Sequence, residues 1–414
     1  MDNPPESDLR AESAELGAQL ARSRGTDFYG LDELLSEPER ALRDRVREIC
    51  DAQIAPIAGD YWEHANLDPR MVQVYRDLGV AGGSIDGYGC PGISVLAEGM
   101  ITLELARSDG SLATFGGVHS GLAMTSVHLL GSPEQRERWL PPMARMERWG
   151  AVALTEPEHG SDVVSMDTVA RRDGDGWTLH GAKRWIGNGS VADVVVVWAR
   201  DDDGNVGGFV VDHADGAEQP VPGWRAEVIE GKIANRGLLQ AHITLDGVRV
   251  PADARLAGAR TFSDTNRVLA RSRQGVAWEA TGHAVAAYEA ALTYALHRQQ
   301  FGRPLARFQL IQDKLSHMLT DITGMQLMCV RMAQLEQRGE CSIEHAAMAK
   351  MHCAATARRV CATARDVLGG NGILLSHHVA RHFADMEATY TYEGTDTVQS
   401  LLIGRAATGY SAFA

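Results

Sequence analysis

Between about residues 151 and 258 the chain changes period, and that change limits the folds open to it. On either side, apolar residues recur at the three-to-four spacing of an amphipathic helix; between them, short β-branched runs alternate with polar residues. The runs are Val164–Val169, Trp177–Leu179, Val194–Trp198, Phe209–Val211 and His242–Leu245. Asp173-Gly174, Asp175-Gly176, Asp203-Gly204 and Asp246-Gly247 stand among them as hairpin or tight-turn signals. The reading is a mixed α and β fold. A loosely held arm (1–30) leads into an N-terminal helical domain (31–150), a middle antiparallel β domain (151–258) and a C-terminal four-helix bundle (259–414).

Local signals mark the helices. Ser36-Glu37-Pro38-Glu39 reads as a capping box, and Ser132-Pro133-Glu134-Gln135 as a second one. Asp68-Pro69 opens a helix that stops at Gly79. Helical periodicity also covers Ser94 to Arg107 and about Ala113 to Leu130. Gly87 to Gly92 lacks the G-x-G-x-x-G spacing between strand and helix and reads as a loop, not a dinucleotide fingerprint. Beyond Asp264, long helical segments cover about 266–299, 309–338, 343–368 and 396–411, and their antiparallel packing gives the bundle.

Composition excludes several functions. The 414 residues carry a net charge of −14 and no basic cluster with interleaved aromatics, which argues against nucleic-acid binding. No run approaches the roughly 18 apolar residues of a membrane span, and the acidic N-terminus is unlike a signal peptide. The six cysteines contain no C-x-x-C, so they read as reduced, buried helix residues, and the expected compartment is cytoplasmic. His378, His382 and Asp385 are spaced as a metal pair might be but lack H-E-x-x-H, and no metal is expected.

The stretch richest in chemistry runs from Thr389 to Arg405. Glu393 stands between Tyr390, Tyr392 and Gly394, just ahead of a helix that Thr395 would cap. A carboxylate held there away from water has its pKa raised toward the range of a general base. A surface Glu before a helix is the plain alternative.

Five motifs carry a resemblance: Leu154-Thr155-Glu156-Pro157 with Gly160-Ser161-Asp162, Lys183 to Asn188, Arg298 to Gly302, Leu368 to Gly372, and Tyr392-Glu393-Gly394-Thr395. In this order and spacing, along nearly the whole chain, they resemble the acyl-CoA dehydrogenase family of flavoproteins. The likeness is strongest to glutaryl-CoA dehydrogenases and plant short-chain acyl-CoA oxidases. The resemblance implies FAD as cofactor and Glu393 as the base that removes the α proton of an acyl-CoA. It places Leu154, Thr155, Gly160, Ser161, Trp185, Ile186, Gly187 and Thr395 at the flavin. Arg298 would reach the FAD of a neighbouring subunit in a homotetramer, with Phe301 and Gln309 flanking the same cofactor; Gln300, Phe308 and Asp366 are further FAD positions, and Gly369 and Gly370 would lie against its adenosine half. Ser161, Arg273, Tyr392 and Gly394 would meet the substrate. Taken alone, Leu154–Asp162 could be a polar turn, Arg298 a helix-dipole complement and Leu368–Gly372 a plain C-cap.

Ser272 occupies a helix position at which some members carry their base, which leaves that role to Glu393. Two departures bear on function. Glutaryl-CoA dehydrogenases hold the distal carboxylate with a Glu and an Arg, and those positions here are Ala106 and Ala113. A short- or medium-chain monocarboxylic acyl-CoA is therefore expected, with electrons passed to an electron-transfer flavoprotein. Gly187 replaces a Thr that reaches the flavin, as in acyl-CoA oxidases, so oxygen stays open as the acceptor. A non-catalytic flavin-bound homologue is a third reading, which the retained Glu393 opposes.

Overall fold

The computed structural model describes residues 25–213 and 221–412; most of the expected N-terminal arm lies outside them. Ser36 opens α1 (Glu37–Ile49) as a capping box, its N–H and hydroxyl both reaching the Glu39 carboxylate. A π-helical turn (Cys50–Ile54) leads to α2 (Ala55–His64). In α3 (Pro69–Leu78) the Asp68 carboxylate accepts the Arg70 N–H at 2.8 Å, and Gly79 ends the helix at φ 64°. Next come α4 (Val95–Ser108) and α5 (Gly110–Gly116), divided by Asp109. The Asp109 carboxylate accepts the N–H groups of Ser111 and Leu112 at 2.9 and 3.1 Å. The helix expected from Ala113 therefore begins earlier, then runs through a π-helical turn (Gly117–Met124) into α6 (Thr125–Leu130). Helix α7 (Pro133–Ala144) has the second capping box, at Ser132.

The sheet comprises β1 (Gly150–Ala153), β2 (Val169–Asp173), β3 (Gly176–Gly187), β4 (Val194–Arg200), β5 (Val206–Asp212), β6 (Trp224–Val228) and β7 (Gln240–Pro251). Strand β4 pairs with β5 along one edge and, on the other, in parallel with β1 and with the start of β2; β3, β7 and β6 then follow β2 in antiparallel order. One correction concerns β1, which lies parallel to β4, so the sheet is not antiparallel throughout. Another concerns Val164–Val169: a short 3-10 turn occupies Val163–Ser165, and the strand starts only at Val169. Asp246-Gly247 makes no hairpin. It is a bulge inside β7, with Gly247 at φ 71° taking up the extra residue against Leu179 and His180.

The C-terminal region holds α8 (Phe262–His297), α9 (Gln309–Gln337), α10 (Ile343–Val367), α11 (Val379–Thr391) and α12 (Asp396–Thr408), with a small β8–β9 hairpin (Gln299–Gln300, Arg303–Pro304) after α8. The fourth bundle member is α11, which packs on α8 and α10, whereas α12 lies outside against α10. Sequence periodicity passed over α11 because it buries Arg381, His382 and Asp385 where apolar residues are expected. Arg381 and Asp109, both fully buried, form an ion pair that ties α11 to the start of α5.

Helices α4 and α8 cross at glycines, a contact that positions the site. A Cβ on Gly282 would stand 2.3 Å from the Leu103 carbonyl oxygen and 2.8 Å from Ala106 Cβ. A Cβ on Gly99 would stand 2.2 Å from the Trp278 indole nitrogen.

Candidate active site

Glu393 lies in the link between α11 and α12 with φ +57°, a left-handed conformation that costs a non-glycine residue about 1–3 kcal/mol. Buried cations and amides hold it there. Arg273 Nε donates to the Glu393 carbonyl at 3.1 Å, and Gln399 Nε2 donates to the carbonyls of Glu393 and Gly394, both at 2.9 Å. Lys350 Nζ donates to the carbonyls of Tyr390 (2.9 Å) and Gly394 (2.8 Å). Gly394 has φ +89°, and a Cβ there would stand 2.5 Å from Gln399 Nε2. The Thr395 hydroxyl accepts the Val398 N–H at 3.4 Å and so caps α12.

The carboxylate itself accepts the Ser272 hydroxyl at 2.8 Å. The residue at the alternative base position is thus the hydrogen-bond donor to the base. Glu393 keeps an open edge, yet burial raises its pKa against the opposing pull of Arg273, the Ser272 hydrogen bond and Lys350. Tyr392 turns the other way; its hydroxyl donates to Thr389 Oγ1 at 3.1 Å and lies against the buried carboxyl of Glu279 on α8.

Two other motifs meet at the edge of the sheet. The loop after β1 is fixed to β3 by the Arg184 N–H donating to the Thr155 carbonyl at 2.8 Å. The fully buried Lys183 ammonium donates to the Leu154 carbonyl at 3.0 Å and to Glu156 at 2.8 Å. Lys183 and Glu156 had been passed over as site residues, and their task is this tie. A second bulge, between Lys183 and Ile186, throws Trp185 outward at φ 64°, leaving it 52% exposed. Ile186 is core, 3% exposed. Ser161 and Gly160 lie exposed in the loop, with no protein atom within 4 Å of where a Gly160 Cβ would stand. Gly187 is different: Val118 Cγ2 stands 2.7 Å from its Cβ position, so Val118 already occupies the space beside it.

The remaining cofactor candidates gather elsewhere, on the outer end of the bundle. Arg298 is exposed beside the β8–β9 hairpin, which carries Gln300; Phe301, at its turn, is 94% exposed with φ +52°. The ring of Phe308 lies 6.2 Å from Phe301 and under the Arg303 guanidinium; Gln309, next in sequence, starts α9. Asp366 pairs with Lys314 across the surface. Gly369 and Gly370 are exposed, whereas Gly372 makes the close approach of that motif, its Cβ position 2.2 Å from the Arg365 carbonyl oxygen. Arg298 and Leu368 line one cleft of about 690 Å³ that includes no residue of the Glu393 or Trp185 regions. Within the single chain these residues do not join the other site.

Both groups suit a flavin nucleotide. The outward bulge of Trp185, the bare Gly160 loop and the strained Phe301 are largely exposed, with Trp185 52% and Phe301 94% accessible, and strained aromatics at a surface fit a ligand-facing function. His382 bonds His283 Nδ1 at 2.9 Å, and Asp385 accepts from Trp62 and Asn235, so both are occupied by protein partners.

Family models match all three domains in order. Those for the N-terminal, middle and C-terminal domains of acyl-CoA dehydrogenase match residues 36–147, 151–248 and 262–408. The chain belongs to the acyl-CoA dehydrogenase family. With that family it is a flavin-dependent oxidoreductase using FAD. It is 30% identical over 375 residues to the mitochondrial short-chain specific acyl-CoA dehydrogenase of Bos taurus, covering 89% of this chain and 90% of that one. A solved glutaryl-CoA dehydrogenase from Mycobacterium smegmatis superposes with TM-score 0.89 at 40% identity, covering 95% of this chain and 100% of that one. A second, in complex with FADH2, gives TM-score 0.90 at 34% identity with the same coverage.

Proposed function

We propose that the protein α,β-dehydrogenates a short- or medium-chain monocarboxylic acyl-CoA, with Glu393 as the base. The observation that carries this reading is the Glu393 carboxylate, raised in pKa by burial and aimed by Ser272 at the end of a rigid, cation-held link. Glu393 takes the proton from the carbon next to the thioester, and the backbone N–H of Glu393 is the protein's donor to the developing negative charge on the thioester oxygen. FAD, when bound, supplies the acceptor for the hydrogen and electron pair leaving the β carbon. Arg273, Gln399 and Lys350 fix the link, so the carboxylate need not reorganise during reaction. Substrate filling the site expels water and raises the base further.

A distal carboxylate is disfavoured. Ala106, fully buried where α4 meets Gly282, offers no charge to a distal carboxylate, and Arg107 is committed to Asp51 and Glu289. An unpaired buried charge costs several kcal/mol. We further propose that an electron-transfer flavoprotein receives the electrons and that the working form is a homotetramer in which Arg298 serves a neighbour's FAD. Val118, lying in the space beside Gly187, weighs against a gap for oxygen.

Anaerobic mixing of the yellow protein with an acyl-CoA panel tests the reading. Monocarboxylic acyl-CoAs should bleach the flavin faster than glutaryl-CoA, and admitted air should restore the colour slowly. Faster bleaching by glutaryl-CoA, with carbon dioxide release, would overturn the substrate assignment. Rapid recolouring that slows in the Gly187→Thr/Val118→Ala double variant would assign oxygen as acceptor; the single Gly187→Thr change would collide with Val118.

A further inference from the structure

Glu279 is a buried acid that the dehydrogenation chemistry does not use. It lies seven residues beyond Ser272 on α8, two turns or about 10 Å deeper along the same face. Ser272 touches the base, and Arg273 beside it holds the link, so Glu279 lies farther along the wall that starts at the reacting end. Thr114 on α5 forms the facing wall, its hydroxyl 2.8 Å from Glu279 Oε1. One turn after Thr114, Val118 meets the Cβ position of Gly187 at the end of β3. The Thr114–Val118 face thus runs from the sheet edge to Glu279, where Tyr392 packs against the same carboxyl.

Among the described residues no cation acts on the carboxyl. The groups facing it are Thr114 from α5 and Tyr392 and Glu393 from the α11–α12 link, and the charge acting on it is that of Glu393. Burial, chiefly, raises its pKa to about 7. A count of protons agrees. The single Thr114 hydroxyl proton has two acceptors, the Gly110 carbonyl at 2.9 Å and Glu279 Oε1, while Asn235 Nδ2 donates to Thr114 Oγ1 at 3.0 Å. A neutral Glu279 that donates to Thr114 satisfies all of these at once. Its other oxygen lies near Tyr392, whose hydroxyl proton is committed to Thr389, so among the described residues it accepts no hydrogen bond of ordinary length; the residue remains 5% accessible. Against a purely hydrocarbon tail, that acceptor would be desolvated without a partner.

We propose that Glu279 is a specificity-determining residue, selecting acyl thioesters whose tail beyond the β carbon carries a hydroxyl that donates to its carboxyl. The inference rests on the acyl-CoA dehydrogenase reading above and names the substrate class for that site. Sites built to bond a substrate hydroxyl discriminate strongly against analogues lacking it, so a preference of at least about tenfold is expected.

The test compares kcat/KM of the FAD-loaded enzyme for two acyl-CoAs of equal chain length, with and without a terminal hydroxyl. Wild type should favour the hydroxylated thioester by about tenfold or more. Glu279→Leu, similar in size and apolar, should reverse the preference, while Glu279→Gln, whose amide oxygen still accepts, should retain part of it. An unchanged ratio in both variants, or a wild type that prefers the plain chain, would overturn the proposal while leaving the dehydrogenase reading intact. Failure of every acyl-CoA to bleach the wild-type flavin would remove the dehydrogenase reading, and this inference with it.

Discussion

A single side chain, Glu393, is asked to be both fixed and basic, and its two neighbours divide that work. Arg273 holds its backbone, and Ser272 bonds its carboxylate. Glu393→Gln preserves shape and can still accept from Ser272, but it cannot take the α proton. FAD and acyl-CoA should still bind, while flavin reduction slows by about 10²–10⁴-fold; near-normal reduction in stopped flow would show that the base lies elsewhere. The pH profile follows from the sign of the shift. Glu393 must be ionised to act, so the rate of reduction should climb as pH rises through its raised pKa. Ser272→Ala removes a hydrogen bond to the ionised form, which moves that pKa, and the rising limb with it, to higher pH. A limb that stays in place would mean that Ser272 does not bond the base in solution.

Among the elements, the crossing of α4 and α8 decides what the acyl chain can meet. Gly282 lets α8 approach the Leu103 carbonyl, and Ala106 is buried in that contact. Gly282→Ala should destabilise the fold by about 1–3 kcal/mol through overpacking, although alanine is the better helix former by about 1 kcal/mol. A urea midpoint that holds or rises would show the crossing to be loose. The helix break at Asp109 matters in the same way. It turns the chain so that Thr114 faces Glu279 and Val118 faces Gly187, and its buried pair with Arg381 anchors α11, whose end carries the base.

At the scale of the whole molecule, the outer end of the bundle is too apolar and too bare to be ordinary surface. Leu310 is 79% exposed and Ile373 67%, near the strained Phe301 and the exposed Arg298. Exposed apolar residues of this kind mark an interaction surface when they cluster. Light scattering should therefore give a tetramer. Arg298→Ala should weaken FAD retention by about 1.5–3 kcal/mol, the worth of a hydrogen bond to a charged group, while leaving the thermal unfolding of each subunit little changed. A stable monomer that keeps its FAD would contradict both expectations.

The change of period at about residue 151 and its return near 259 announced the α–β–α order, because side-chain spacing follows helix and strand geometry directly. The same local logic placed the capping boxes at Ser36 and Ser132, and the motif around Glu393 was legible as a carboxylate before a helix. Four other features depended on tertiary contacts. Helix α11 was hidden because its buried face is charged, and Arg381 is tolerable there only with Asp109, 272 residues away in sequence, as its partner. The Asp246-Gly247 signal meant a bulge and not a turn, since local dihedrals are alike and the paired strand makes the difference. Val118 filling the place beside Gly187, and Glu279 facing Thr114, arise only when α5, β3 and α8 pack together. Periodicity assigns a residue to a face; what that face meets is settled by the packing of the elements around it.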